Sequence, residues 1–269
     1  MLWRSGSGPP LWLLHGFPDT VAGFTEIAGP LRDAGFTVLV PALPGYPPSG
    51  PAADYRTPML ARALLALIDA QGVSPIRRYG HDGGAVVGYA LAPLAPARIA
   101  RLAVGAVPHP RRFLRPGLRQ LRRSWYMAYF QLPGWPERRI AADEFAFLRR
   151  LWSDWSPGWR FSEAQFAPLA HCFSQPGAIR AALAYYRALP GGLLSPALHD
   201  ERRRLLGLLP VPTLVLAGAR DGCIGLEMFN RQERLFASGY RLAVVPEAGH
   251  FMHREQPDFC LQRLLDWFA

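Results

Sequence analysis

Gly80-His81-Asp82-Gly83-Gly84 is the stretch on which the reading of this chain turns. It follows Ile76 to Tyr79, which read as a buried strand, and it opens a run that reads as a helix. Small residues on both sides of a central acid permit a sharp, strained turn, because bulkier flanking residues would clash. Such a turn lifts the middle side chain, the Asp82 carboxylate, above the strand end. A glycine-rich turn carrying Asp is also what an ordinary capped strand–helix junction looks like, so the remainder of the chain has to decide.

Working outward, Pro10 to Leu14 form a buried strand ending at His15-Gly16, and residues 20 to 34 read as a helix. Phe36 to Val40 are a second buried strand, and Pro44-Gly45-Tyr46-Pro47-Pro48 an irregular loop. Residues 58 to 71 are an amphipathic helix with Pro58 near its start and Gly72 after its end. Leu102 to Val107 are another strand, closed by Pro108-His109-Pro110. Strands alternating with helices predict a mostly parallel sheet covered on both faces. From about residue 111 to 205 the pattern becomes helical, rich in Arg and in Trp (Trp125, Trp135, Trp152, Trp155, Trp159). It resumes with strands at Thr213 to Ala217 and Arg241 to Val245 and a last helix from Pro257 to Phe268. The expected organisation is a core of residues 1–110 and 206–269 interrupted by a helical insertion, residues 111–205.

Three further features sit at strand ends. His15-Gly16-Phe17-Pro18 follows the first buried strand, where the Phe17 N–H can join that of Gly83 in an oxyanion hole. Ala217-Gly218-Ala219-Arg220-Asp221 places a carboxylate just past a strand, and Gly249-His250-Phe251 places an imidazole past the last one. Taken singly, Asp221 could be a turn residue and His250 a surface residue, while His15 and His81 suit loop orientation better than chemistry. Together they give the order nucleophile, acid, histidine of the α/β-hydrolase triad, and carboxyl ends of parallel strands are where such groups converge. Serine hydrolases carry Ser at the elbow; here it is Asp82.

With these motifs the sequence resembles the epoxide hydrolase and haloalkane dehalogenase branch of the α/β-hydrolases over nearly its whole length. The pieces are His15-Gly16-Phe17-Pro18, Gly80-His81-Asp82-Gly83-Gly84, Pro108-His109-Pro110, Ser124-Trp125-Tyr126-Met127-Ala128-Tyr129-Phe130-Gln131-Leu132-Pro133, Tyr185-Tyr186-Arg187, Asp221 and His250. The resemblance implies an α/β-hydrolase fold with an inserted helical cap. It also implies an Asp82 nucleophile, His250 with Asp221 to activate water, and two cap tyrosines that hold an epoxide oxygen. By position these look like Tyr126 and Tyr186, with Tyr129 and Tyr185 the alternatives, since one residue turns a helical side chain by about 100°. A phenol with an unperturbed pKa near 10 stays protonated and can donate. The expected activity is opening of a small apolar or aromatic epoxide by water, with no organic cofactor and no metal.

Two departures stand out. Relatives usually place tryptophan or another bulky residue after the nucleophile, where this chain has Gly83, which weakens a dehalogenase reading. Only about ten residues precede the strand ending at His15, so the N-terminal strands are expected to be shortened, with that edge missing or covered by a partner, as in a homodimer. A non-catalytic ligand-binding protein of the same fold is the remaining alternative.

The formal net charge is +10 and every basic residue is arginine. No nucleic-acid motif accompanies the charge, which reads as compositional bias. Arg111, Arg112, Arg115, Arg119, Arg122 and Arg123 are expected on a solvated helix face. Cys172, Cys223 and Cys260 have neither metal-ligand spacing nor an even count for disulfides. No charged segment precedes an N-terminal apolar run, and apolar stretches are strand-sized, so a cytoplasmic protein without membrane or nucleic-acid partners is expected.

Overall fold

The computed structural model describes residues 2–269, leaving aside the side chain of Leu193. In chain order the elements are β1 (Leu2–Ser5), β2 (Pro10–Leu14), α1 (Thr25–Asp33), β3 (Thr37–Pro41), α2 (Thr57–Ala70), β4 (Ile76–His81), α3 (Gly83–Leu94) and β5 (Ile99–Gly105). Seven helices follow: α4 (Leu118–Arg123), α5 (Trp125–Tyr129), α6 (Trp135–Ala141), α7 (Ala146–Trp155), α8 (Glu163–Ser174), α9 (Ala178–Leu194) and α10 (His199–Leu205). β6 (Thr213–Gly218), β7 (Tyr240–Val245), α11 (Met252–Glu255) and α12 (Pro257–Phe268) complete the chain.

The strands form one seven-stranded sheet in the order β1-β3-β2-β4-β5-β6-β7. β1 pairs antiparallel with β3, and all other neighbours are parallel. Side-chain alternation along the strands feeds two cores. Trp12, Leu14, Leu39, Leu102 and Val104 point to the face covered by α2 and α3. Leu11, Leu13, Val38, Ala103 and Leu216 point to the face covered by α1 and α12. Burial on both faces explains why these strands read as unbroken apolar runs.

Two expectations needed correction. The N-terminal edge is shortened but present: Leu2–Ser5 pair with Val38–Pro41. Four residues, the middle two exposed, leave too little alternation to be read as a strand. The Arg111–Arg123 run is not one helix. Pro110–Leu114 form a 3-10 turn, Pro116-Gly117 interrupt, and only Leu118–Arg123 are α-helical.

At the β4–α3 junction the chain turns so tightly that backbone meets backbone. A Cβ on Gly84 would stand 2.1 Å from the Leu14 carbonyl oxygen, and one on Gly80 would stand 2.6 Å from Gly84. Gly84→Ala should therefore lower unfolding free energy by roughly 1–3 kcal/mol or more. Gly191→Ala, where a Cβ meets nothing within 4 Å, should raise it by roughly 0.5–1 kcal/mol. Urea denaturation of the two variants checks the contrast; equal effects would refute this account of the turn.

Candidate active site

Asp82 occupies the junction itself, at φ +48° and ψ −117°. A non-glycine residue pays conformational strain there, tolerated only because the surroundings fix it. Its side chain projects over the carboxyl ends of β2 and β4 and is largely buried. Oδ1 accepts the Phe17 N–H at 2.8 Å, and Oδ2 lies 3.5 Å from His250 Nε2. Gly16 makes the approach possible: a Cβ there would fall 2.4 Å from both Asp82 Oδ1 and the Gly83 nitrogen. The Phe17 amide is thus on the Asp82 carboxylate, and Gly16 passes close to both that carboxylate and the Gly83 nitrogen.

His250 is fully buried, and its Nδ1 lies 3.0 Å from Asp221 Oδ2. The other Asp221 oxygen accepts the N–H groups of Cys223 at 2.7 Å and Ile224 at 2.8 Å. Asp221 is therefore a turn residue and the partner of the imidazole at once. Burial disfavours the imidazolium, but the Asp221 and Asp82 carboxylates outweigh it and raise His250 to about 10. Burial likewise opposes the Asp82 charge, yet His250, His81 and the Phe17 amide hold its carboxyl below the ordinary range. Both shifts favour an imidazolium between the two carboxylates.

Tyr126 on α5 and Tyr186 on α9 are buried with ring centroids 5.8 Å apart. The Tyr186 ring stands edge-on to Phe17 at 5.4 Å. Burial, with the Asp82 charge contributing, pushes both phenols well above their ordinary range, so both keep their protons. Tyr126 Oη meets Cys223 Sγ at 3.3 Å, whereas the Tyr186 hydroxyl has no hydrogen-bond partner among the described residues. The neighbouring tyrosines face elsewhere: Tyr185 donates to the Pro44 carbonyl at 2.8 Å, and Tyr129 packs on Trp125 and Phe147.

What the sequence did not disclose is how the loops are tied. The Trp155 carbonyl, at the end of α7, accepts the N–H of Gly222 and that of His250, each at 3.0 Å. The acid and base loops are thereby pinned to one point. Ser156 Oγ donates to Glu255 at 2.6 Å and accepts the Phe251 N–H at 3.2 Å. Glu255 also accepts the Gly249 N–H at 2.8 Å. The glycines flanking Asp221 and His250 were the available signal. A Cβ on Gly222 would lie 2.0 Å from the Asp154 carbonyl oxygen, and one on Gly249 2.4 Å from Ser156 Cα. His81 Nε2 sits 2.8 Å from the His250 carbonyl, and His15 Nε2 accepts the Leu43 N–H at 3.1 Å, so both orient loops. Burial lowers them to about 3 and about 4, which keeps both neutral.

Two groups bring three ligand-type atoms within 4.8 Å: Asp19 with His81 and His253, and Asp221 with Cys223 and His250. In the first, Arg254 already holds Asp19 Oδ1 at 3.2 Å, so a buried cation would face a guanidinium. In the second, the Asp221 oxygens are taken by amides and imidazole. Neither set suits a metal. A cavity of about 750 Å³ lies away from Asp82, between the N-terminal sheet edge, the loop after β3, and α2, lined by Leu2, Leu14, Leu43, Met59, Leu64 and Val87 among others.

A profile of the Alpha/beta hydrolase family matches residues 13–263. The chain belongs to the α/β-hydrolase family. The AB hydrolase superfamily protein YfhM of Bacillus subtilis is 30% identical over 97% of this chain and 90% of its own length. Mouse epoxide hydrolase 4 is 28% identical over 93% of this chain and 70% of its own length. The Bacillus megaterium epoxide hydrolase structure superimposes with a TM-score of 0.86 at 24% identity, covering 100% of this chain and 96% of that one, which speaks to the fold. This α/β-hydrolase is thus an enzyme akin to epoxide hydrolases.

The charge arrangement has a measurable consequence for this hydrolase. His250 binds its proton more tightly folded than unfolded, so its contribution is complete below pH 6.5 and is lost as pH rises through about 10. Urea denaturation across that window should show wild-type stability falling relative to His250→Gln. Parallel curves would contradict the imidazolium assignment.

Proposed function

We propose that the enzyme opens epoxides to vicinal diols through an ester on Asp82. What supports this reading is a carboxylate at the elbow, 3.5 Å from the imidazole and near enough to two buried tyrosines for its charge to help raise both phenols. Asp82 Oδ attacks a ring carbon and the C–O bond of the ring breaks. Tyr126 and Tyr186 donate to the developing alkoxide. The alkoxide gains a proton from a phenol, and the imidazolium of His250 restores it. The result is a hydroxyalkyl ester, neutral phenols and neutral His250.

Esterification itself makes His250 a base. Loss of the Asp82 charge removes one of the two carboxylates that hold the imidazolium, leaving Asp221 to orient the ring. His250 then takes a proton from water as the water oxygen adds to the ester carbonyl. The amides of Phe17 and Gly83 stabilise the oxyanion. Collapse releases the diol, with the water's second proton going to the departing oxygen. The carboxylate–imidazolium pair is restored.

Phe17 is ringed by Phe130, Trp155, Phe173 and Tyr186, so the substrate class is apolar or aromatic. The helices between β5 and β6 act as the cap, since α5 and α7 deliver Tyr126 and Trp155. Gly83 gives no side chain to hold a departing halide, which counts against a dehalogenase.

Diol formation from aryl and alkyl epoxides tests the reading. Asp82→Asn should abolish turnover. Tyr126→Phe and Tyr186→Phe should each lower kcat by roughly 10²-fold while leaving the fold intact. Turnover of alkyl halides but not epoxides, or tyrosine variants with wild-type kcat, would overturn it.

A further inference from the structure

The segment that carries Tyr126 is inverted with respect to ordinary amphipathic helices. Leu118 is 78% exposed and Leu121 54%, three apart on one outward face of α4, and Trp125, which opens α5, is 49% exposed. Leu114, at the end of the preceding 3-10 turn, is 53% exposed as well. The inward side is polar: Gln120 is buried, donates to Ser124 Oγ at 2.9 Å and to the Cys223 carbonyl at 3.0 Å, and accepts the Gly225 N–H at 3.0 Å. These bonds fix which side faces out, so the exposed leucines are not a frayed helix caught in one rotation. Further along, Leu132 and Trp135 are also exposed.

Arginines run beside these side chains. Arg115, Arg119 and Arg122 each follow one of the exposed leucines, and with Arg111 they form no ion pair among the described residues. The one acid between 111 and 139, Glu137, is held by Arg187 at 2.6 Å. These arginines are exposed, as the sequence suggested, but exposed apolar side chains beside unopposed cations point to a docking surface. A second copy offering the same patch would set like charges against each other.

We propose that this face docks on an anionic phospholipid surface. Leu114, Leu118, Leu121 and Trp125 enter the interfacial region, and the guanidinium groups pair with lipid phosphates. No helix among the described residues is long and apolar enough to cross a membrane, so the association is peripheral. It departs from the sequence reading, which expected no membrane partner. Trp125 and Tyr126 are adjacent on α5, one exposed and one buried, so the docked face and the proposed site share that helix. Docking itself does not rest on the epoxide reading.

The test is flotation of the full chain with phosphatidylcholine vesicles, with and without phosphatidylglycerol, at low and high salt. The protein should float with the anionic vesicles and release at high salt. Arg115→Gln, Arg119→Gln and Arg122→Gln combined should weaken binding by roughly a hundredfold. Leu118→Ser with Leu121→Ser should weaken it by roughly tenfold or more, with unchanged thermal unfolding. Trp125→Phe should remove a vesicle-induced blue shift from the fluorescence. Failure of wild type to float, equal flotation of the variants, or capture by an acidic polypeptide but not by vesicles would overturn the proposal.

Discussion

Asp82 can stand at φ +48° because there is no side chain where the backbones around it must touch. Gly84 lies against the Leu14 carbonyl, Gly80 against Gly84, and Gly16 against the Asp82 carboxylate. This contact of β2 with the start of α3 puts the Phe17 amide on Oδ1. The acid and base loops then have to meet a fixed carboxylate. The Trp155 carbonyl brings them there by binding Gly222 and His250 together. The site is therefore a consequence of close backbone packing at strand ends, with the helical segment between β5 and β6 as its fourth wall.

Electrostatics follows from that geometry. A buried imidazole would normally be neutral, as His15 and His81 are. His250 differs because two carboxylates face its two nitrogens. In the proposed reaction one of those charges disappears when the ester forms, so a single ring is an acid's reservoir before the step and a base after it. Neither role needs a metal or a moving domain; the switch is the covalent bond itself.

The parts of this arrangement that were legible in the sequence are those where sterics leave few residue choices. The elbow demands glycine at close approaches, and strand ends carry Asp82, Asp221 and His250 in an order that parallel topology brings together. The choice between Tyr126 and Tyr129, or between Tyr186 and Tyr185, was open because adjacent residues on a helix differ only in direction. Packing settled which rings turn inward: Tyr185 is drawn to the Pro44 carbonyl, and Tyr186 to Phe17. β1 escaped notice because four residues pair at an edge with little burial. The role of Trp155 was invisible because its backbone carbonyl, not its side chain, does the tying. The arginine run is exposed as expected, but charge pattern alone does not reveal that it is broken into a 3-10 turn and a short helix, or that Gln120 points inward and Leu118 outward.

The central claim is that Asp82 becomes an ester which His250 then hydrolyses. Intact-protein mass spectrometry of His250→Gln after exposure to an aryl epoxide tests it most directly, since loss of the base should trap the intermediate. The account predicts a gain equal to the whole epoxide, mapped by peptide fragmentation to Asp82 and absent from Asp82→Asn. A folded His250→Gln protein that gains no mass yet still forms diol would contradict it, because water would then reach the ring without the carboxylate.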